Sequence, residues 1–334
     1  MKEVSFIRQN IEKWKALESI VDDAQMRNPG ELADAYTRIT TDLSFSRAHY
    51  PNSRITIYLN NLASALHNIL YKMRKDKYSR IITFWTQEIP DVMYASRREM
   101  IYSFAVFAVS VLIGVLSAAN DDSFVRLILG NSYVDMTLDN IKNGESMAVY
   151  GSSNELTMFV MITTNNIYVA FRTFVMGLFT GFGTGIILLY NGIMVGAFQT
   201  FFFQHNVGVE SMLAIWLHGT FEISAIIIAG AAGFALGNGV LFPGTYSRKY
   251  AFRQGAMRGL KIITGLVPVF ILAGFIESYL TRHTEYPDSV RLFIILLSLA
   301  CVIGYYIVLP QIRHKWNIKS KELNSTDSVL SRKK

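Results

Sequence analysis

The chain has 334 residues, of which 51% are hydrophobic and only 17% charged, with a net charge of +7. Soluble domains average about 25% charged residues, and here the deficit is local: residues 1–99 read as ordinary polar helix, and most of the remainder is apolar. A single cysteine, Cys301, lies in an apolar run, which excludes an intrachain disulfide framework.

In chain order, residues 4–28 carry Phe6, Ile7, Ile11, Trp14, Leu17, Ile20 and Val21 at helical spacing. Pro29-Gly30 is expected to stop that helix. A second helix is expected over 31–49, ending before Pro51. A third covers 53–75, with Ile55, Leu59, Leu62, Leu66, Ile69 and Leu70 on one face. Together they predict a small bundle. The first 20 residues are charged throughout, so no cleavable leader is expected. Residues 80–100 mix Phe84, Trp85, Met93 and Tyr94 with Arg80, Arg97 and Arg98. That pattern fits a helix on the membrane surface feeding the first span, or else a soluble helix on the bundle.

Six apolar runs have the length of spans, which takes about 20 residues: 100–119, 156–180, 182–203, 212–236, 260–280 and 292–309. The second and third are separated only around Gly181-Phe182-Gly183, so a tight helical hairpin is expected. The fold class is therefore an all-α polytopic membrane protein. Its expected parts are a cytoplasmic helical region (1–99), a transmembrane domain (100–310) and a basic tail (311–334).

Basic residues set the orientation. Residues 1–99 hold 15 Lys and Arg, 237–261 hold five and 310–334 hold seven, whereas the alternate loops hold only Arg126, Lys142, Arg282 and Arg291. Both termini are expected on the cytoplasmic side of the inner membrane. The basic tail reads as a topology and anionic-lipid signal, so no nucleic-acid partner is expected. The long loop 120–155 would lie outside, with Val125, Leu127, Ile128 and Leu129 dipping into the interface. Residues 137–141 would form a short surface helix ending at Asn143-Gly144. This loop is the expected external binding surface.

Within the spans, Asn165, Asn166, Arg172, Asn191, His218 and Glu222 form the expected polar core. Ionisable groups at mid-bilayer cost at least about 2.5–3.5 kcal/mol, so they face other helices or wet cavities. His218 and Glu222, four apart, share one helix face. At 1.5 Å per residue, the three asparagines, His218 and Glu222 occupy overlapping layers, with Arg172 deeper, where it would either snorkel toward the cytoplasm or pair with Glu222. The asparagines fit interhelical hydrogen bonding. For His218 and Glu222 four readings stay open: a neutral structural pair, a proton or ion pathway, a metal site of which they would be two ligands, and intramembrane hydrolysis. The chain has no HExxH, GxSxG or Walker A motif, and no cofactor is expected. Gly177, Gly181, Gly185, Gly192, Gly196 and Gly233 recur at four-residue spacings that let helix backbones approach, which also makes a homodimer plausible.

One set of residues carries a resemblance: Asn165-Asn166, Gly177-x3-Gly181-x-Gly183-Thr184, Asn191-Gly192-x3-Gly196, His218-Gly219-x2-Glu222-x2-Ala225, Ala229-Gly230 and Gly233. This pattern resembles the stage II sporulation protein M family over 156–237, and more loosely over 100–310. One departure is Leu217, where members often carry proline, so no proline kink is expected there. The resemblance implies a bacterial or archaeal inner-membrane protein. Founding members act in spore engulfment, holding peptidoglycan-degrading partners in one membrane complex; most relatives occur in organisms that do not sporulate. With the absence of catalytic motifs and the size of the non-membrane parts, the resemblance makes a non-enzymatic scaffold in the lipid bilayer, linked to envelope-remodelling membrane proteins that would bind loop 120–155 and the N-terminal bundle, the leading expectation. A transporter or channel for a small solute, ion or lipid is the alternative, because midplane polar groups on glycine-rich helices are a transporter pattern. An intramembrane metal-dependent enzyme is the third reading.

Overall fold

The structure, a computed structural model, describes residues 3–22, 29–73, 77–144, 154–281 and 286–331. These residues are helical apart from short turns, with no strand among them. The chain divides into two compact units, Met1–Ile82 and Thr83–Lys334.

The first unit is built from α1 (Glu3–Asp22), α2 (Pro29–His49) and α3 (Arg54–Met73). Their apolar stripes close one core around Phe6, Trp14, Leu17, Leu32, Ile39, Leu59 and Leu66. Trp14 is fully buried and its indole Nε1 donates to Asp42 Oδ2 at 2.8 Å. Lys13 Nζ lies 2.6 Å from the same oxygen. The buried indole proton therefore has a charged acceptor, as a buried donor requires. Pro29 opens α2 rather than simply ending the helix before it. Proline suits a first helical position, where no intrahelical partner for its missing N–H is needed. Residues 23–28 lie outside the described ones.

The short helix α4 (Lys77–Thr83) runs into a π turn (Phe84–Glu88) and α5 (Ile89–Ala95). The segment expected at the membrane surface buries Ile89 and Met93 in the core of the second unit, with Phe84, Trp85 and Val92 packed against it. The backbone breaks at Ser96 and continues as α6 (Arg97–Asn120). Two amphipathic helices follow, α7 (Asp122–Leu129) and α8 (Asn131–Lys142), turning at Gly130 with φ +88°. They bury Val125, Val134 and Thr137, while Leu127 is exposed. The expected short helix thus exists and is longer than anticipated, Asn131–Lys142, with Val134 and Thr137 buried.

Then come α9 (Glu155–Val175), α10 (Phe182–Gln204), α11 (Gly208–Leu241), α12 (Arg248–Phe275) with a π turn (Ile276–Leu280), α13 (Asp288–Ile303) with a π turn (Gly304–Val308), and α14 (Leu309–Ser331). Five helical stretches are long and apolar enough to cross a membrane: Arg97–Asn120, Phe182–Gln204, Gly208–Leu241, Arg248–Leu280 and Asp288–Ser320. The sixth expected span, now α9, has 21 residues but falls outside this set. Asn165, Asn166 and Arg172 dilute its apolar character.

The central helix is α11, unkinked at Leu217 and 61% buried along its apolar window, against 17–50% for the other four. It touches α6, α9, α10, α12 and α13. Small residues permit this crowding. A Cβ added at Gly255 of α12 would lie 2.6 Å from the Ala235 carbonyl oxygen of α11. Gly177 sits against the Gly233 backbone, and Gly192 and Gly196 sit against α6. Gly185 differs: nothing lies within 4 Å of the space its side chain would fill. Gly192 and Gly196 meet Phe107–Val115 of α6, whereas Gly185 meets no neighbour and so is not a packing position within the chain.

Candidate functional site

The turn between α9 and α10 is as tight as expected. Thr180 and Gly181 take positive φ, 58° and 80°, and the Gly181 amide donates to the Gly177 carbonyl at 3.0 Å. The Gly181 backbone lies against Gly237, where a side chain would not fit. Beyond the turn the two helices separate rather than zip together. α10 packs chiefly on α6, whereas α9 packs on α11 and α12.

This divergence leaves a cavity of about 540 Å³ over one face of α11. Asn165, Asn166 and Val169 line it from α9; Tyr190, Asn191, Met194 and Gln199 line it from α10. From α11 come Trp216, His218, Gly219, Glu222 and Ile226, a single helical stripe. Ile128, Leu129 and Tyr133 of α7 and α8 close one end. Asn165 and Tyr190 are exposed, so the cavity opens between α9 and α10.

Five of the six expected core residues meet here. The Asn166 amide donates to Glu222 Oε1. Asn191 Nδ2 donates to the Ile187 carbonyl of its own helix at 2.8 Å, and Trp216 Nε1 reaches Gln199 Oε1 at 3.4 Å. Arg172 stands apart. It is exposed in the last turn of α9, does not line the cavity and does not pair with Glu222. A cation in the last turn of a helix is favoured by the carbonyl dipoles there, and that position satisfies Arg172 without a carboxylate.

Instead of Arg172, Glu277 comes up to Glu222 from the π turn after α12, the two carboxylates and His218 bringing ligand atoms within 4.8 Å of one another. Glu277 is visible in the sequence as a carboxylate near a span's end, yet nothing in its neighbours signals the π turn that aims it. That turn replaces the usual i→i+4 register with a bond from Thr281 N–H to the Ile276 carbonyl at 3.0 Å, and π turns recur at functional positions. It places Glu277 Oε1 3.8 Å from His218 Nε2 and Thr281 Oγ1 3.1 Å from His218 Nδ1.

The family model for stage II sporulation protein M matches residues 103–282. The chain belongs to that family. The matched stretch contains every cavity-lining residue named above, together with Glu277 and Thr281. A separate model, "Domain of unknown function (DUF8413)", matches residues 4–72, the three-helix unit. An uncharacterized protein of Methanocaldococcus jannaschii is 32% identical over 125 residues, which is 37% of this chain and 70% of that protein. No solved structure matches the chain.

Proposed function

We propose that the membrane domain binds a small cationic solute within the bilayer and passes it across, without chemistry on the solute. The cavity between the diverging helices carries this reading. Its volume of about 540 Å³ falls in the range of small-ligand sites. No Lys or Arg stands among its lining residues, whereas Glu222 does. Phe107, Tyr133, Tyr190, Phe198 and Trp216 offer aromatic faces to a cation. Asn165, Asn166, Asn191 and Gln199 supply directional hydrogen bonds. Flux of labelled small organic amines into protein-bearing vesicles, set against carboxylates of equal size, tests it. Amine uptake that Gly219→Phe abolishes is the expected result; no flux above protein-free vesicles refutes it.

A second role rests on a different observation. The N-terminal unit packs its own core and matches its own domain family, so we infer that it docks membrane partners in an envelope-remodelling complex, the role the family resemblance suggests. With α9 counted as a sixth pass, the basic-residue asymmetry supports an inner-membrane protein with both termini cytoplasmic. In-cell cross-linking from exposed positions such as Ile57 checks the docking role: deletion of residues 1–82 should remove adducts that the membrane domain alone does not form.

A further inference from the structure

Beyond solute binding, the structure assigns a metal site. We propose that His218, Glu222 and Glu277 bind one divalent transition-metal ion of the zinc class at the edge of the chamber.

The three residues each offer a ligand atom, and these atoms lie within 4.8 Å of one another. Bonds to zinc of about 2.0–2.2 Å set ligand atoms roughly 3.3 Å apart in a tetrahedron. In this proposal, rotation of the Glu222 and Glu277 side chains closes the difference. The His218 and Glu277 side chains are 4% and 14% exposed, and His218 and Glu222 both face the chamber. An ion can therefore enter from the chamber and keep a fourth position open toward it.

Hydrogen bonds around the triad orient it as a metal site requires. Thr281 Oγ1 donates its proton to the Ile276 carbonyl at 3.3 Å. It therefore accepts from His218 Nδ1–H at 3.1 Å. In that tautomer Nε2 carries the lone pair, on the side of the Glu277 carboxyl. Metal-bound histidines are held in this way through their other nitrogen. Asn166 does the same for Glu222, donating to Oε1. Each of these two ligands thus has a second residue that sets its direction.

Charge selects the ion. Two carboxylates and a neutral imidazole sum to −2, which a divalent cation cancels, and electroneutrality matters within a bilayer. One nitrogen and two oxygen donors with no thiolate suit zinc and its first-row neighbours. In the metal-free state the Glu222 and Glu277 carboxyls face each other within 4.8 Å. Three protein–metal bonds replace bonds from the ion to water, any proton held by a ligand passes to that water through the chamber, and no electron moves.

The test uses the full chain, purified without a polyhistidine tag and reconstituted in lipid nanodiscs. Zinc is counted by elemental analysis after equilibration with zinc-buffered solution. About one zinc per chain is expected. Glu222→Gln and Glu277→Gln should each reduce affinity more than Thr281→Val, which keeps all ligands and should weaken binding about 10–100-fold. Glu88→Gln, a carboxylate away from the site, should bind as wild type. If the variants fail to fold, the zinc-edge absorption spectrum of the wild type decides, with nitrogen and oxygen neighbours and no sulfur expected. Wild-type protein free of stoichiometric zinc overturns the proposal, as does zinc retained unchanged in Glu277→Gln. Zinc without amine flux leaves this site standing and ends the solute reading; amine flux without zinc does the reverse.

Discussion

Two glycines on α10 allow a direct test of how the membrane domain is packed. Gly185 and Gly192 are seven residues apart, nearly on one stripe of the helix. A Cβ at Gly192 would lie 2.5 Å from Ser110 Cβ and 2.9 Å from the Phe107 carbonyl oxygen, while one at Gly185 would meet nothing within 4 Å. Carbon atoms pack at about 3.5–4.0 Å, so Gly192→Ala must part α6 and α10 by about 1 Å. Overpacking of this kind costs about 1–3 kcal/mol. Replacing glycine by alanine in a helix returns about 0.8–1.0 kcal/mol at either position. Gly192→Ala should therefore be about 0–2 kcal/mol less stable than wild type, and Gly185→Ala up to about 1 kcal/mol more stable. For a unit of this size about 2–4 °C follows each kcal/mol, so the two midpoints should differ by about 2–12 °C. Thermal unfolding of the purified variants in one detergent measures this. Coincident midpoints would refute the claim that α6 and α10 meet through these glycines.

Three further outcomes follow from separate parts of the molecule. Trp14→Phe removes the donor to Asp42 and should destabilise the first unit by about 1–3 kcal/mol, read as faster amide exchange in α1–α3 of the full chain with α11 unchanged. The Ser123 hydroxyl, at 2.6 Å, and its amide, at 2.9 Å, hold the Asp121 carboxyl below its ordinary value at the start of α7. A depressed carboxylate stabilises above its unfolded value of 3.8, and that support is lost as pH falls through the folded one. Amide protection in α7 should drop over that acidic window in wild type but stay level in Asp121→Asn, which caps without titrating; equal pH profiles would count against the cap. Gly219→Phe projects into the chamber, its nearest neighbours being Ile215 and Ile223 side-chain atoms at 3.8 and 4.0 Å. It should unfold like wild type yet bind no amine, and unchanged binding would place the solute elsewhere.

Much of this was legible in the residues, for physical reasons. The three helices of the first unit follow from apolar periodicity, since a stripe recurring every three to four residues has only one buried arrangement. The gathering of Asn165, Asn166, Asn191, His218 and Glu222 follows from depth, because amides and acids within apolar helices seek one another. What depended on long-range packing was hidden. The short α9–α10 connection reads as a hairpin, yet the helices diverge because α6, distant in sequence, occupies the glycine face of α10. Gly185 fits the four-residue repeat as well as Gly177 does, yet Gly177 meets the Gly233 backbone of α11 and Gly185 meets nothing within 4 Å. Glu277 lies 55 positions after Glu222, in a π turn that no local motif marks.

The divergence and the acidic cluster are connected. A helix pair closed along its length would seal His218 and Glu222 in a dry core beside Asn166, which is the structural-pair reading of His218 and Glu222. Because α9 turns toward α11 and α12, it carries Asn166 onto Glu222 and brings α12's π turn, with Glu277 and Thr281, to the same end of α11. Because α10 turns toward α6, the opposite side of that cluster is left open as the chamber. The glycine seams at Gly192 and Gly196 on α6, and at Gly255 on α11, hold these two halves in place. Widening either seam should therefore disturb the distances among His218, Glu222 and Glu277 as well as stability. Gly255→Ala, remote from all three in sequence, tests this coupling. It should weaken zinc binding in proportion to the stability it removes, whereas a purely local site would keep wild-type zinc affinity in the folded fraction.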